Sequence, residues 1–266
     1  MLLWRFHAQR LRRLRPSHRH VTIARYLLGM QPTDCRALRV VIPCLDEEPA
    51  IGQLVTVLRR HLGPEDRIIV VDNGSRDHTA EVATTAGAEV VSEPRRGYGR
   101  ACLAGLRACR DGIAVFLDGD GADRPEDLTS VVEPIMSGAA ELVVGARRER
   151  EAGSMTLAQR FGNRLVTSMI SRVSGKRVTD LGPMRAIRVE KLIALQLSAR
   201  TYGWSTEMTV KALRAQYRYV EVPVGHRRRI GVSKVSGTFW GSVRAGFRIL
   251  WTAARWSRWR PGEVVS

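Results

Sequence analysis

Three acids fall close together in the stretch VFLDGDGADRPED, residues 115–127: Asp118, Asp120 and Asp123. They follow directly on an apolar run, Ile113 to Leu117. Carboxylates one residue apart at the end of a buried strand can hold a hard cation such as Mg2+ or Mn2+. Such an ion takes one or two protein carboxylates and leaves its other positions to phosphate oxygens and water. The intervening Gly119 and Gly121 would let a diphosphate come close. The same residues also suit a plain turn in which Asp123 caps a helix opened by Pro125. The DxD pattern alone does not choose between these readings.

Two further stretches bear on the choice. VVDNGSRDHT puts Asp72 after an apolar run, with Gly74 and Ser75 in a tight turn and Asp77 at the next helix start. A carboxylate so placed can accept hydrogen bonds from a base or a ribose. PRRGYGRACLAG sets Arg95, Arg96, Gly97 and Gly99 ahead of a helix, an arrangement that resembles a phosphate cradle. It lacks the third glycine of a dinucleotide fingerprint and follows the third strand instead of the first, which disfavours a nicotinamide enzyme.

The elements that must hold these groups alternate. LRVVIPCL, RIIVVD, AEVV, GIAVFLD and ELVVGA read as strands, with helices near 49–62, 77–86, 99–111 and from Pro125. That alternation predicts an α/β fold with a doubly wound, mainly parallel sheet. Ligands of such sheets bind beyond the carboxyl ends of the strands. Asp46 and Glu47, Asp72, and Asp118 with Asp120 all fall at those ends. Beyond residue 150 the pattern weakens: helices are expected over 155–174 and 205–216, strands at GPMRAIRV and YRYVEVPV, and then a basic loop, HRRRIGVSK.

The net charge of +17 is carried by the ends of the 266-residue chain. Residues 1–39 hold nine Arg against one Asp, and residues 225–262 hold eight Arg and one Lys with no acid. Basic ends suit polyanions, either nucleic acid or an anionic membrane. No aromatic-rich nucleic-acid motif marks the neutral body, so nucleic acid is not the expected partner. Trp240, Val243, Phe247, Leu250, Trp251 and Ala254 recur at helical spacing, with Arg244, Arg248 and Arg255 opposite. That is the pattern of an interfacial membrane helix, or of a terminal helix packed on its own domain. No apolar run reaches the roughly 18 residues needed to span a bilayer, and the N-terminus lacks the apolar core of a signal peptide. Cys35, Cys44, Cys102 and Cys109 have no metal-like spacing and suggest buried thiols in a reducing, cytoplasmic setting.

In order along the chain, VIPCLDEE, VVDNGSRDHT, RRGYGRA, FLDGDGADRPED, VVGAR and EVPVGHRRRIGVSK resemble the motifs of family 2 glycosyltransferases. The nearest resemblance is to the dolichyl- and polyprenyl-phosphate mannose or glucose synthases. It runs from about 39 to 236 and implies a GT-A domain there, between a basic segment at 1–38 and a C-terminal amphipathic helix and tail at 237–266. It further implies a UDP- or GDP-sugar donor, Mg2+ or Mn2+, inversion at the anomeric carbon, and an isoprenoid phosphate or other lipid-linked acceptor. By the same resemblance Pro43, Leu45, Glu47, Asp72, Arg96 and Gly97 would contact the nucleotide. Asp118 and Asp120, with Asp123 as a possible third ligand, would meet the metal and diphosphate. Arg147 and Arg160 would face the acceptor phosphate; Arg229, Ser233 and Lys234 would close on the diphosphate. Asp180 and Glu207 would lie beside the reaction centre.

Two motifs depart from the family's pattern. Ala122 stands where these synthases commonly carry an amide metal ligand, and DLGPMR is one residue shorter than the usual segment around Asp180. A phosphate acceptor needs no general base, and the cluster of Arg147, Arg160, Arg185 and Arg229 favours one. A hydroxyl acceptor would need a base, with Asp180 the first candidate and Glu207 the second. An enzyme of this kind would sit on the inner face of the membrane, brought there by its terminal helix or by a membrane-protein partner.

Overall fold

The computed structural model describes residues 36–231 and 239–262. The basic segment before residue 36, and Ser233 and Lys234, lie outside the described residues. A seven-stranded sheet runs in the order β3-β2-β1-β4-β6-β5-β7. Its strands are β1 (Leu38–Cys44), β2 (Arg67–Asp72), β3 (Glu89–Ser92), β4 (Ile113–Phe116), β5 (Leu142–Arg150), β6 (Arg185–Arg188) and β7 (Tyr219–His226). The helices are α1 (Glu48–Arg59), α2 (Thr79–Thr85), α3 (Tyr98–Ala108), α4 (Leu128–Met136), α5 (Leu157–Ser174), α6 (Val189–Ala194), α7 (Trp204–Arg214) and α8 (Phe239–Trp256).

Alternation along the strands divides the core into two layers, as a pleated sheet covered on both faces requires. Val41, Val71, Phe116 and Val144 face one layer, which includes Val166, Trp204, Met208 and Trp256. Val40, Ile42, Val70, Val115 and Val143 face the other, with Ile51, Leu54 and Val131. β1 pairs in parallel with both β2 and β4, so the chain reverses its direction of travel across the sheet at β1. The crevice beyond the carboxyl ends of β1 and β4 is therefore the topological switch point where such folds bind ligands.

The second half differs from the expectation of a simple parallel continuation. β6 is antiparallel to both β4 and β5, and it separates them. β5 runs on to Arg150, and its pairing with β7 slips between Arg147 and Glu149. A bulge of this kind turns the side chains around it, here at the rim of the crevice. Pro125 opens a single 3-10 turn, Pro125–Asp127, before α4 begins.

The terminal helix packs on the domain, but not along the expected stripe. Thr252, Ala253, Trp256 and Trp259 are buried, whereas Phe247 and Trp251 are 71% and 50% exposed. The seam is set by Gly203, where a Cβ would collide with Thr252, so the helix approaches by that face. The side chains of Trp240, Val243 and Arg244 fall outside the described residues. Cys44, Cys102 and Cys109 are buried free thiols.

Candidate functional site

The loop after β1 is fastened to the loop after β2 by reciprocal side-chain bonds. Asp46 N–H donates to Ser75 Oγ (3.0 Å) and Arg76 N–H to Asp46 Oδ1 (2.7 Å). Glu47 N–H donates to Thr79 Oγ1 (2.9 Å) and Glu48 N–H to Asp77 Oδ2 (3.2 Å). Asp72 accepts Ser75 N–H at 3.1 Å and stays half-buried at the end of β2. Pro43 is buried, Leu45 half-buried and Glu47 buried at the mouth, while Arg96 is exposed and reaches the Gly74 carbonyl at 3.4 Å.

Beyond β4 the three acids fold back on one another. Asp123 does not cap the helix: Arg124 takes the cap position, and Asp123 Oδ2 instead accepts Asp118 N–H at 3.2 Å. Asp120 Oδ1 accepts Ala122 N–H (3.0 Å), and its other oxygen lies 3.4 Å from Arg229, which also reaches Glu47 at 3.3 Å. Asp123 is 1% exposed and Asp120 8%. Tyr98 donates its hydroxyl to Asp118, whose pKa is nevertheless pushed up to about 8, first by burial and then by Asp120 and Asp123. Asp118 Oδ1 and Asp123 Oδ1 are shielded from solvent with no hydrogen-bond partner. Buried, mutually repelling carboxylate oxygens without donors are what a cation resolves. The residues therefore fit Mg2+ or Mn2+. Among the described residues no three His, Cys, Asp or Glu side chains converge on one point, so diphosphate oxygens and water would complete the coordination.

On the opposite wall, Arg147 grips Asp180 in a bidentate pair, Nη2 to Oδ1 at 2.6 Å and Nε to Oδ2 at 2.9 Å, with the Arg147 N–H adding a third bond at 2.8 Å. Burial raises the Asp180 pKa, but Arg147 outweighs it and holds the carboxyl below its ordinary value. Arg150 stands nearby with a lowered pKa, because burial and the neighbouring Arg147, Arg160 and Arg148 oppose its charge despite Asp180. Arg147 lies close enough to Asp118 and Asp123 to interact with their charge, and Arg148, Arg150 and Arg160 crowd beside it.

A parallel sheet with acids at its switch point is shared by several enzyme classes, and the chain's relatives decide between them. The model of glycosyl transferase family 2 matches residues 39–195. The chain belongs to that family. A glycosyltransferase of Mycobacterium tuberculosis, itself uncharacterised, is 37% identical over 79% of this chain and 94% of its own. An undecaprenyl-phosphate mannosyltransferase of Micrococcus luteus is 31% identical over 81% of this chain and 94% of its own. Glucosyl-3-phosphoglycerate synthase of M. tuberculosis, crystallised with Mn2+, UDP-glucose and phosphoglyceric acid, has the same GT-A fold. Its TM-score is 0.69, with 22% identity over 92% of this chain and 86% of its own.

Within this glycosyltransferase, the structure brings together seven of the sixteen site residues picked out from the sequence. Glu47, Asp118, Asp120, Asp123, Arg147, Asp180 and Arg229 share one mouth. Arg160 is exposed in the first turn of α5, where its charge acts on Arg150. Glu207 is fully buried and bonded to Lys211 (2.7 Å) and Ala199 N–H (2.6 Å), away from the acids. Arg185 does not join the arginine cluster: it is fully buried and donates to the Ser205 carbonyl at 3.0 Å. Gly119 also serves a different end from the one expected, since a Cβ there would stand 2.5 Å from Cys44 Sγ. Packing between β1 and β4 demands that glycine, and Gly121 is held at φ +73°.

Three contributors escaped the sequence reading. His226 Nδ1, without a hydrogen-bond partner, faces Asp123 Oδ1 at 3.7 Å and could add a nitrogen ligand to a cation there. Tyr98 orients Asp118. Asn73 accepts Gly97 N–H at 2.7 Å and so holds the Arg96–Gly97 loop. The one signal for His226 was its position at a strand end directly before the basic loop.

Proposed function

We propose that this glycosyltransferase moves a sugar, with inversion, from a UDP- or GDP-sugar to a polyprenyl phosphate at the membrane surface. One observation carries the acceptor. The guanidinium crowd of Arg147, Arg148, Arg150 and Arg160 stands at the head of an exposed apolar stripe on α5. Leu157, Phe161 and Leu165 are 82%, 72% and 45% exposed at helical spacing, while Val166 and Ile170 on the other side are buried. The first turns of α5 reach the site, because Asn163 Oδ1 accepts the N–H of Leu181, next to Asp180, at 3.1 Å. An anion cradle that continues into an apolar ridge matches an amphiphile with a phosphate head.

The donor's diphosphate lies at Asp118 and Asp120, with its nucleotide toward Pro43, Leu45, Glu47, Asp72, Arg96 and Gly97. Asp118, Asp120 or Asp123 would hold a divalent ion there, which would neutralise charge on the departing nucleoside diphosphate. Arg229 adds a second positive charge on that side. Arg147, Arg150 and Arg160 hold the acceptor phosphate for attack on the anomeric carbon from the opposite face. A phosphate monoester is already largely anionic at neutral pH, so no base is needed. Asp180 suits that scheme: a carboxylate pinned in a bidentate pair below its ordinary pKa is a weak base. A hydroxyl acceptor would have to find its base elsewhere.

Among the described residues no helix is long and apolar enough to cross a membrane. An anionic inner leaflet attracts the arginine-rich ends and flanks. The direct test is transfer of radiolabelled sugar from UDP- and GDP-sugars to polyprenyl phosphate with Mn2+ or Mg2+. Label in the lipid extract supports the reading, and label appearing only in a soluble acceptor overturns it. Replacing the ridge by Leu157→Glu with Phe161→Glu should cut transfer in vesicles at least tenfold, since each side chain gives up roughly 1.5–3 kcal/mol of apolar burial. Turnover on a short, water-soluble isoprenyl phosphate should be unchanged by that pair.

A further inference from the structure

A second set of buried polar contacts surrounds Glu207, in the first turn of α7. It and Lys211, one turn on, are fully shielded and paired at 2.7 Å. The ammonium also donates to the Gln196 carbonyl at 2.9 Å. It lies 3.9 Å above the ring of Trp256 and 5.3 Å above that of Trp259, both in the C-terminal segment. The carboxylate in turn receives Ser198 N–H on both oxygens (3.1 Å each), Ser198 Oγ (3.1 Å) and Ala199 N–H (2.6 Å). A carboxylate has about four acceptor sites, and these contacts fill them. None is left to take a proton from a substrate.

The turn that Glu207 holds presses on the start of α3. The Arg200 carbonyl accepts Arg100 N–H at 3.2 Å. A Cβ at Gly97 would collide with the Arg200 carbonyl oxygen, and one at Gly99 with that of Ala199. From the other side Asn73 binds Gly97 N–H (2.7 Å) and the carbonyls of Glu93 (2.7 Å) and Arg95 (3.0 Å). The loop of Arg95 to Gly99 is therefore gripped between Asn73 and the 198–200 turn, and Tyr98 reaches from it to Asp118. Buried ion pairs seldom add net stability, so what this one contributes is geometry.

We infer that Glu207 is a positioning residue for donor binding. With Lys211 and the C-terminal tryptophans it fixes the 198–200 turn against Gly97 and Gly99, and so sets the Arg96–Gly97 loop and Tyr98 beside the diphosphate acids. This rests on the reading that Arg96 and Gly97 meet the donor; it is independent of the acceptor.

The test is calorimetric titration of the full chain with UDP and with GDP in Mn2+, followed in the variants with whichever nucleotide the wild type binds tighter. Glu207→Gln should raise Kd roughly tenfold. With donor saturating, kcat should stay within about threefold of wild type. Gly99→Ala, which disturbs the same contact from the α3 side, should reproduce the weaker binding. The double change Glu207→Gln with Lys211→Met leaves no unpaired buried charge, so it stays foldable and should show the same loss. An unchanged Kd with kcat down by about 10²–10⁴ would make Glu207 a general base and overturn the inference. Unchanged Kd and kcat with only a lower Tm would overturn it as well, leaving a purely structural pair. Failure of the acceptor reading has a different signature: no transfer to polyprenyl phosphate with nucleotide binding intact.

Discussion

Asp118→Asn is expected to stop transfer while making the free protein more stable. The amide keeps the size of the carboxyl and its bond with Tyr98, so the fold around β4 has no cause to change. What it loses is a carboxyl that burial, Asp120 and Asp123 keep largely protonated near neutral pH, and that takes on its negative charge only against that cost. Relief of burial and repulsion should raise Tm by about 2–4 °C for each kcal/mol recovered in a domain of this size. In the proposed reaction that charge is what a cation and the diphosphate would need. Its removal should lower kcat/KM by about 10³-fold, or roughly 4 kcal/mol of transition-state stabilisation. Melting curves and initial rates on one preparation test both halves. A variant that loses activity together with stability would mean that Asp118 is held by the fold and not for the ligand.

The second large effect concerns Arg147 and Asp180. Asp180→Asn leaves an arginine whose side chain is 13% exposed without its partner, and breaking such a pair costs about 3 kcal/mol. Arg147→Met strands the carboxylate, which is 2% exposed, at a similar cost. Both variants should lose transfer while still binding UDP or GDP with wild-type Kd, because the pair stands on the arginine side of the crevice. A double-mutant cycle should find the two strongly non-additive, as for groups acting as one unit. Were Asp180 the base, Asp180→Asn alone would be far worse than Arg147→Met. The pair also predicts acid sensitivity. The Asp180 pKa is lowered in the folded chain, so its stabilising contribution is fully present above the ordinary carboxylate range of about 4. It is lost only as pH falls through the depressed value. Asp180→Asn should therefore flatten the acid limb of a stability–pH curve.

Much of the proposed donor side was legible in the sequence because its signals are local. A β-branched run ending in an acid names a strand and its end within eight residues, as in RIIVVD and IAVFLD. Several such runs alternating with helices leave a parallel sheet as the consistent arrangement. Six ordered motifs then identified the family and put Glu47, Asp72, Asp118 and Asp120 at one edge. The later half was less legible for the same reason. RAIR is too short to carry direction, so the antiparallel insertion of β6 had no local signal. The terminal helix showed an apolar stripe in Phe247 and Trp251, but packing against Gly203 turned another face inward.

The sequence by itself thus determined the fold class, the family and the edge of the sheet where the acids gather. Only the tertiary structure decided what the charged groups do there. Asp180 is clasped by an arginine 33 residues away. Glu47 meets Arg229 across 182 residues of chain. Asp123 serves Asp118 instead of a helix cap, His226 arrives from the far edge strand, and Glu207 spends its charge on Lys211 and the 198–199 turn. A carboxylate's role depends on which donors and charges surround it once water is excluded, and those neighbours come from segments that meet only when the chain folds.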